Sequence, residues 1–184
     1  MLLALDIGNS NVVCAIHDTK KWIQSIRISS NLDFWNKFKT LKEYDITHAA
    51  ISSVVPKLTP IYVESIRNIF HIDVFIINHN NAGIDLNVDV PEEVGVDRIC
   101  NTAAAIELMG CPAIIGDIGS ATNYDVVDEK GAFIGGAIAP GLRTAAQHLF
   151  DKAALLNEAS LTVPTSSIGK DTSTNLQSGI MLGA

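Results

Sequence analysis

The chain has 184 residues, 47% hydrophobic and 18% charged. That suits one large domain or two small ones with a buried core and excludes a disordered polymer. Its formal charge of -7 and pI near 5.1 argue against broad binding to nucleic acid or to anionic membranes.

The N-terminus opens straight into a short apolar run, with no basic n-region or cleavage site. No apolar run approaches the roughly 20 residues that span a bilayer, so a cytoplasmic protein is expected. Leu2–Leu5 and Val12–Ile16 flank a Gly-Asn-Ser-Asn cluster and read as a hairpin, with Trp22–Ser29 as a third strand. Asn31 is placed to cap a helix reaching about Tyr44, with Phe34, Trp35, Phe38 and Leu41 on one face. Ala49–Val55 reads as a buried strand, in which Ser52-Ser53 either end the strand or face a cleft, with termination expected. Pro56 or Pro60 suits the start of a helix through Phe70, and Val74–Ile77 is a further strand.

Asn78–Val94 is polar, carries Gly83 and Pro91, and reads as a long loop. An alanine-rich helix is expected from about Asp97 to Met109, then a strand at Ala113–Ile115 and a second hairpin, Thr122–Val127 with Ala132–Ala139. Pro140-Gly141 precedes a helix to about Ala154; Ser160–Lys170 is a loop, and a last helix begins near Asp171. Strands and helices mixed in this order indicate an α/β protein.

Three cysteines, Cys14, Cys100 and Cys111, are widely spaced and form no CxxC pair, so reduced core thiols are expected rather than a disulfide framework or zinc site. The five histidines show no metal-ligand spacing and suit surface or capping positions. Trp22 and Trp35 sit in apolar patterns that read as core.

One repeat carries the chemistry. Leu3-Ala4-Leu5-Asp6-Ile7-Gly8-Asn9-Ser10 parallels Ile114-Ile115-Gly116-Asp117-Ile118-Gly119-Ser120-Ala121, an offset of 111 residues (117 minus 6), which is a domain length. Each copy is an apolar strand ending in Asp-Ile-Gly, then small polar residues, then a second apolar strand ending near another aspartate, Asp18 or Asp128. Gly8 and Gly119 let backbone N–H groups approach phosphate oxygens, and two carboxylates facing a polyphosphate require cations between them. A lone Asp-Gly pair would be read as turn chemistry, but the same tripeptide at the ends of two apolar strands a domain apart favours a phosphate cleft. No GxxxxGK[ST] is present, because Pro164 stands where the first glycine before Gly169-Lys170 belongs, and no GxGxxG is present either.

With these loops in place the sequence resembles the type III pantothenate kinases, of the acetate and sugar kinase, heat-shock-70 and actin superfamily. Asp6-Ile7-Gly8-Asn9-Ser10-Asn11 is similar to the family's first phosphate loop, Gly95-Val96-Asp97-Arg98 to its GxDR element, and Asp117-Ile118-Gly119-Ser120-Ala121-Thr122 to its second phosphate loop. Gly135-Gly136-Ala137-Ile138-Ala139-Pro140-Gly141 is similar to the GGxIxPG segment, and Ile168-Gly169-Lys170-Asp171-Thr172 more faintly to an iGxNT element.

The resemblance implies two ribonuclease H-like (actin-like ATPase) domains around a nucleotide cleft, at residues 1–112 and 113–184, the second incomplete because family members continue beyond the match to Ala184. It implies transfer of the ATP γ-phosphoryl group to the primary hydroxyl of pantothenate, the first step of coenzyme A synthesis. Asp97 would be the general base, its residue-level alternative being a helix N-terminal acid. The ATP contacts would be Asp6, Ile7, Gly8, Asn9, Ser10, Asn11, Val12, Val13 and Ser120. Gly95, Val96, Asp97, Arg98 and Thr172 would contact pantothenate, Arg98 through the substrate carboxylate unless it is a surface arginine. Asp117 would hold a monovalent cation, potassium or ammonium, with magnesium travelling on the nucleotide, and the family implies a homodimer. Ser120 replaces the family's usual threonine and Val88 its usual pocket tyrosine. Alternatives are a kinase for another small hydroxyl or carboxyl acceptor, and a nucleotide-binding regulatory protein of the same fold without kinase activity.

Overall fold

Alternating burial organises the first 29 residues. In β1 (Leu2–Ile7), Leu3, Leu5 and Ile7 face one side and are buried, while Ala4 and Asp6 face the other. β2 (Asn11–His17) repeats the pattern with Val12, Cys14 and Ile16, and β3 (Trp22–Ser29) completes an antiparallel meander. The computed structural model describes residues 1–29, 35–153, 155–156 and 159–183. Asn31 and Phe34, expected at the start of the first helix, lie outside them. That helix, α1 (Trp35–Thr40), passes into a 3-10 turn at Leu41–Glu43.

β4 (His48–Ser53) pairs parallel to β1, and β5 (Val74–Ile76) parallel to β4, giving a five-stranded sheet in the order β3-β2-β1-β4-β5. The crossover is α2 (Thr59–Phe70), which has proline in its first turn and ends on His71 in the left-handed conformation (φ 58°), so this histidine has the capping role expected. Tyr62 and Ile66 of α2 pack with Phe38 and Leu41 against the buried face of the sheet, Phe38 meeting Tyr62 edge-on at 5.8 Å. Each such burial contributes about 1.5–3 kcal/mol.

α3 (Val96–Met109) lies against β4 on one side and against the second sheet on the other. That sheet is an antiparallel meander of β6 (Ala113–Ile118), β7 (Ala121–Val127) and β8 (Phe133–Pro140). The long loop before α3 is less irregular than expected. Leu86 forms a parallel bridge to Phe133, with N–H groups of Asn87 and Phe133 donating to Phe133 O (2.8 Å) and Asp85 O (2.9 Å). α4 (Leu142–Lys152) and α5 (Thr172–Leu182) follow, and Asp171 caps α5 in a reciprocal box with Thr174. Among the described residues no helix is long and apolar enough to cross a membrane.

The repeat extends to the far ends of both hairpins. Asp18 Oδ1 accepts the N–H groups of Lys20 and Lys21, each at 2.9 Å; Asp128 Oδ1 accepts those of Lys130 and Ala132 at the same distance. Both aspartates therefore serve as Asx-turn acceptors. The two Asp-Ile-Gly turns differ by one residue. Ile7 pairs with Val12 across four loop residues, and Ile118 with Thr122 across three.

Two expectations are corrected. Trp22 is 59% exposed, because β3 is an edge strand, and it meets His17 edge-on at 4.9 Å. Cys14 is a core thiol pushed by burial to about 12, whereas Cys111 lies exposed in the turn before β6.

Candidate active site

The carboxylates of Asp6, Asp97 and Asp117 line one cavity of about 350 Å³ together with Ser52, Cys100 and Asn101. They reach it from three elements: Asp6 from the polar face of β1, Asp117 from β6, and Asp97 from the first turn of α3. The parallel register sets Ser52 of β4 beside Asp6, and the Ser52 hydroxyl donates to Asp6 Oδ1 at 3.2 Å. Ser52 thus faces the cleft rather than merely ending its strand. Burial raises the Asp6 carboxyl above its ordinary value; the Ser52 hydrogen bond opposes this, and the Asp97 and Asp117 charges add to it. The Cys100 thiol is also raised, first by burial and then by Asp6 and Asp97, against a lowering hydrogen bond with Ser52.

Glycine 95 explains how Asp97 is placed. Asp97 Oδ1 accepts the Arg98 N–H at 2.8 Å, one of the donors a helix start leaves without an internal partner. A Cβ on Gly95 would stand 2.5 Å from that same oxygen. The carboxylate can fold over the helix N-terminus only because residue 95 has no side chain.

Arg98, expected at the substrate carboxylate, is engaged by a residue that sequence reading missed. Its Nε and Nη2 donate to Asp125 Oδ1 at 2.8 and 2.5 Å, and its guanidinium carbon lies 5.3 Å from the Phe133 ring centre. The Asp125 side chain is 0% exposed and that of Arg98 14%. The glycine pair of β8 fits around this ion pair. Gly135 takes φ 119° where the ladder shifts register. A Cβ on Gly136 would overlap the Tyr124 carbonyl and come within 3.0 Å of both Arg98 Nη2 and Asp125 Oδ1.

The second loop rests on the start of α4. Gly141 N–H and the Thr144 hydroxyl both donate to Ser120 O, at 3.0 and 2.7 Å, and a Cβ on Gly141 would overlap the Gly119 carbonyl. Beside it a cavity of about 620 Å³ opens between Gly119, Ser120, Arg143, Thr144 and Gln147. In the first loop the N–H of Gly8 donates to Asn11 O at 2.9 Å, and Asn9, Ser10 and Asn11 are exposed. Ile7 and Val12 turn their side chains into the core, so only their main chain can meet a ligand, and Val13 is half-buried.

Three residues stand elsewhere. Thr172 lines an apolar groove between α4 and α5 with Leu149, Leu156 and Leu176. Val88 is half-buried just beyond the Leu86 bridge and, like Val96 at the first position of α3, does not line the carboxylate cavity.

Among the described residues no lysine, arginine or histidine lines that cavity, so its donor set suits a hard cation. Among the described residues no three His, Cys, Asp or Glu side chains form a ready-made metal cage. A cation seated there would complete its shell from phosphate oxygens and water, as magnesium does on nucleotides.

The family model for type III pantothenate kinases matches residues 2–184. A type III pantothenate kinase of Thermomicrobium roseum is 38% identical over 195 residues, covering 100% of this chain and 75% of that protein. One from Dictyoglomus turgidum is 38% identical, with 100% and 76% covered, and one from Citrifermentans bemidjiense 37%, with 100% and 77%. A Campylobacter jejuni crystal structure described as a Baf family transcriptional activator superposes with a TM-score of 0.55 at 20% identity, covering 98% of this chain and 74% of that one, a likeness of fold alone. The α/β architecture with two sheets agrees with the expected fold class. Matched along 2–184 by the family model and along its whole length by these relatives, the chain belongs to the type III pantothenate kinase family.

Proposed function

We propose that the family's reaction, ATP-dependent phosphorylation of pantothenate to 4'-phosphopantothenate at the start of coenzyme A synthesis, is carried out in the cavity shared by Asp6, Asp97 and Asp117. The observation that carries this reading is the meeting of the three carboxylates, from both sheets and the helix between them, in a space with no basic side chain among the described residues. Such a site repels a bare polyphosphate and suits one that arrives with its cation.

Asp97 acts as the general base. Its Oδ1 is occupied by the Arg98 N–H, which leaves Oδ2 to take the proton of the pantothenate hydroxyl as that oxygen attacks the γ-phosphorus and ADP departs. The first loop, residues 6–13, supplies main-chain donors and the short polar groups Asn9, Ser10 and Asn11 to the phosphates. Ser120 and the start of α4 face the nucleotide from the other side. Asp6 and Asp117 are the residues that would hold cations, magnesium with the nucleotide and a monovalent ion at Asp117; such ions supply neutralisation of the transferring charge. Gly95, Val96 and Arg98 border the acceptor, with Arg98 Nη1 the guanidinium nitrogen not used on Asp125.

Thr172 lies in a different cavity from Asp97, which fits a contact with pantothenate made from the second copy of a homodimer. A fully active monomer in sedimentation analysis would refute that arrangement. The sheet partition supports dividing the chain into 1–112 and 113–184, and limited proteolysis at the exposed Cys111 turn tests the boundary.

A coupled assay with ATP, magnesium, potassium and pantothenate should show turnover that Asp97→Asn lowers by at least about 100-fold with nucleotide affinity retained. Turnover that survives the substitution would remove Asp97 from the role of base.

A further inference from the structure

Asn101 stands one helical turn beyond Asp97, on the same side of α3, and its carboxamide is the single amide among the described residues lining the carboxylate cavity. Its Nδ2 lies 3.1 Å from Asp117 Oδ2. A carboxylate has no proton to give, so the amide nitrogen must be the donor. The bond joins the helix that carries Asp97 to the strand that carries Asp117, across a sequence separation of 16 residues.

We propose that Asn101 is a positioning residue for Asp117: its amide holds one carboxylate oxygen and leaves the other presented to the cation that accompanies the phosphates. Three carboxylates in one cavity repel each other, and a side chain left without a partner would swing Asp117 toward solvent. An amide N–H fixes its direction without adding the fixed positive charge that would displace a cation. Because Asp97 and Asn101 share one turn of α3, the base and the cation-holding carboxylate are set in one register. This inference rests on the reading of Asp117 as a cation-holding residue, and deepens it.

The test uses the full chain with Asn101→Ala and Asn101→Ser, measuring the potassium concentration for half-activation, the KM for pantothenate and the melting temperature. Both variants should raise the half-activating concentration about tenfold, as loss of a partner behind a metal ligand does. The KM for pantothenate should stay within about twofold and melting should fall by no more than about 6 °C, since the bond is a single part-buried one. Calorimetric titration with magnesium ADP provides a second arm. Asn101→Ala should weaken binding about fivefold in the parent and less than twofold in an Asp117→Asn background, where there is no carboxylate left to orient. Equal losses in both backgrounds would overturn the proposal, as would an unchanged half-activating concentration when parental activation depends on Asp117. If instead the losses are coupled but turnover is indifferent to monovalent cations, Asn101 retains its role and the cation reading of Asp117 fails.

Discussion

Removing the Asp125 carboxylate should destabilise the chain far more than removing a typical ion-pair partner. Asp125→Ala would leave the Arg98 guanidinium, whose side chain is 14% exposed, over the Phe133 ring with both of its donors to Asp125 Oδ1 unmatched. Breaking a buried pair by deleting one partner costs about 3–5 kcal/mol. The residual exposure of Arg98, and the orphaned Oδ2 that Asp125 already carries, favour the lower end, about 3 kcal/mol. For a chain of this length each kcal/mol moves the midpoint about 2–4 °C, so thermal unfolding followed by circular dichroism should fall by about 6–12 °C. The double variant Arg98→Met with Asp125→Leu removes both charges, and should melt closer to the parent than either single change. A single Asp125→Ala that melts within about 2 °C of the parent would refute the burial argument, as would a double variant whose loss equals the sum of the singles.

Gly95→Ala should keep its fold, because the new Cβ comes too close only to the rotatable end of Asp97 and meets Arg98 Cδ at an ordinary 3.8 Å. Displacing that carboxylate should lower kcat about 100-fold with melting nearly unchanged, and an unaltered kcat would show that Asp97 needs no such space. Asp6→Asn should trade activity for stability. Burial, chiefly, holds the folded Asp6 carboxyl above its ordinary value, so the ionised form costs stability above the folded value and the cost disappears as pH falls through it. The gain at neutral pH should be small because the site is half-exposed, and should shrink as pH falls toward the ordinary carboxylate range, while turnover is lost. Melting curves across that pH range check the sign, and a variant less stable than the parent at neutral pH would reverse it.

The elements legible in the sequence are those whose signals are local. The hairpins are marked by short apolar runs around Gly-Asn-Ser-Asn and Gly-Ser turns, α2 by its first-turn proline, and the two Asp-Ile-Gly loops by repetition. Asn101 and Asp125 were missed, and Ser52 was read as ending its strand rather than facing the cleft, because their partners are set by tertiary placement, at separations of 16, 27 and 46 residues. Both missed residues did leave a trace. Asp125 shares its face of β7 with buried Val127, and a charge on an inward face calls for an opposite charge. Asn101 follows Asp97 by four residues, the spacing that shares a helix face. Trp22 misled because an aromatic in an alternating strand does not reveal that the strand is at an edge.

The two halves use one loop design and tie it to its neighbours in different ways. Ile7 is 0% exposed beneath the first loop, where the Asp-Ile-Gly turn is held by apolar packing against α2, a non-directional force that tolerates small shifts. The second turn carries directional ties: Ser120 O to Gly141 and Thr144, and Asp117 Oδ2 to Asn101. Hydrogen bonds of this kind each contribute about 0.5–1.5 kcal/mol and fail one at a time. The positional demands of the active site thus fall most heavily on α3 and on the first turn of α4, and substitutions there should disturb catalysis before they disturb folding.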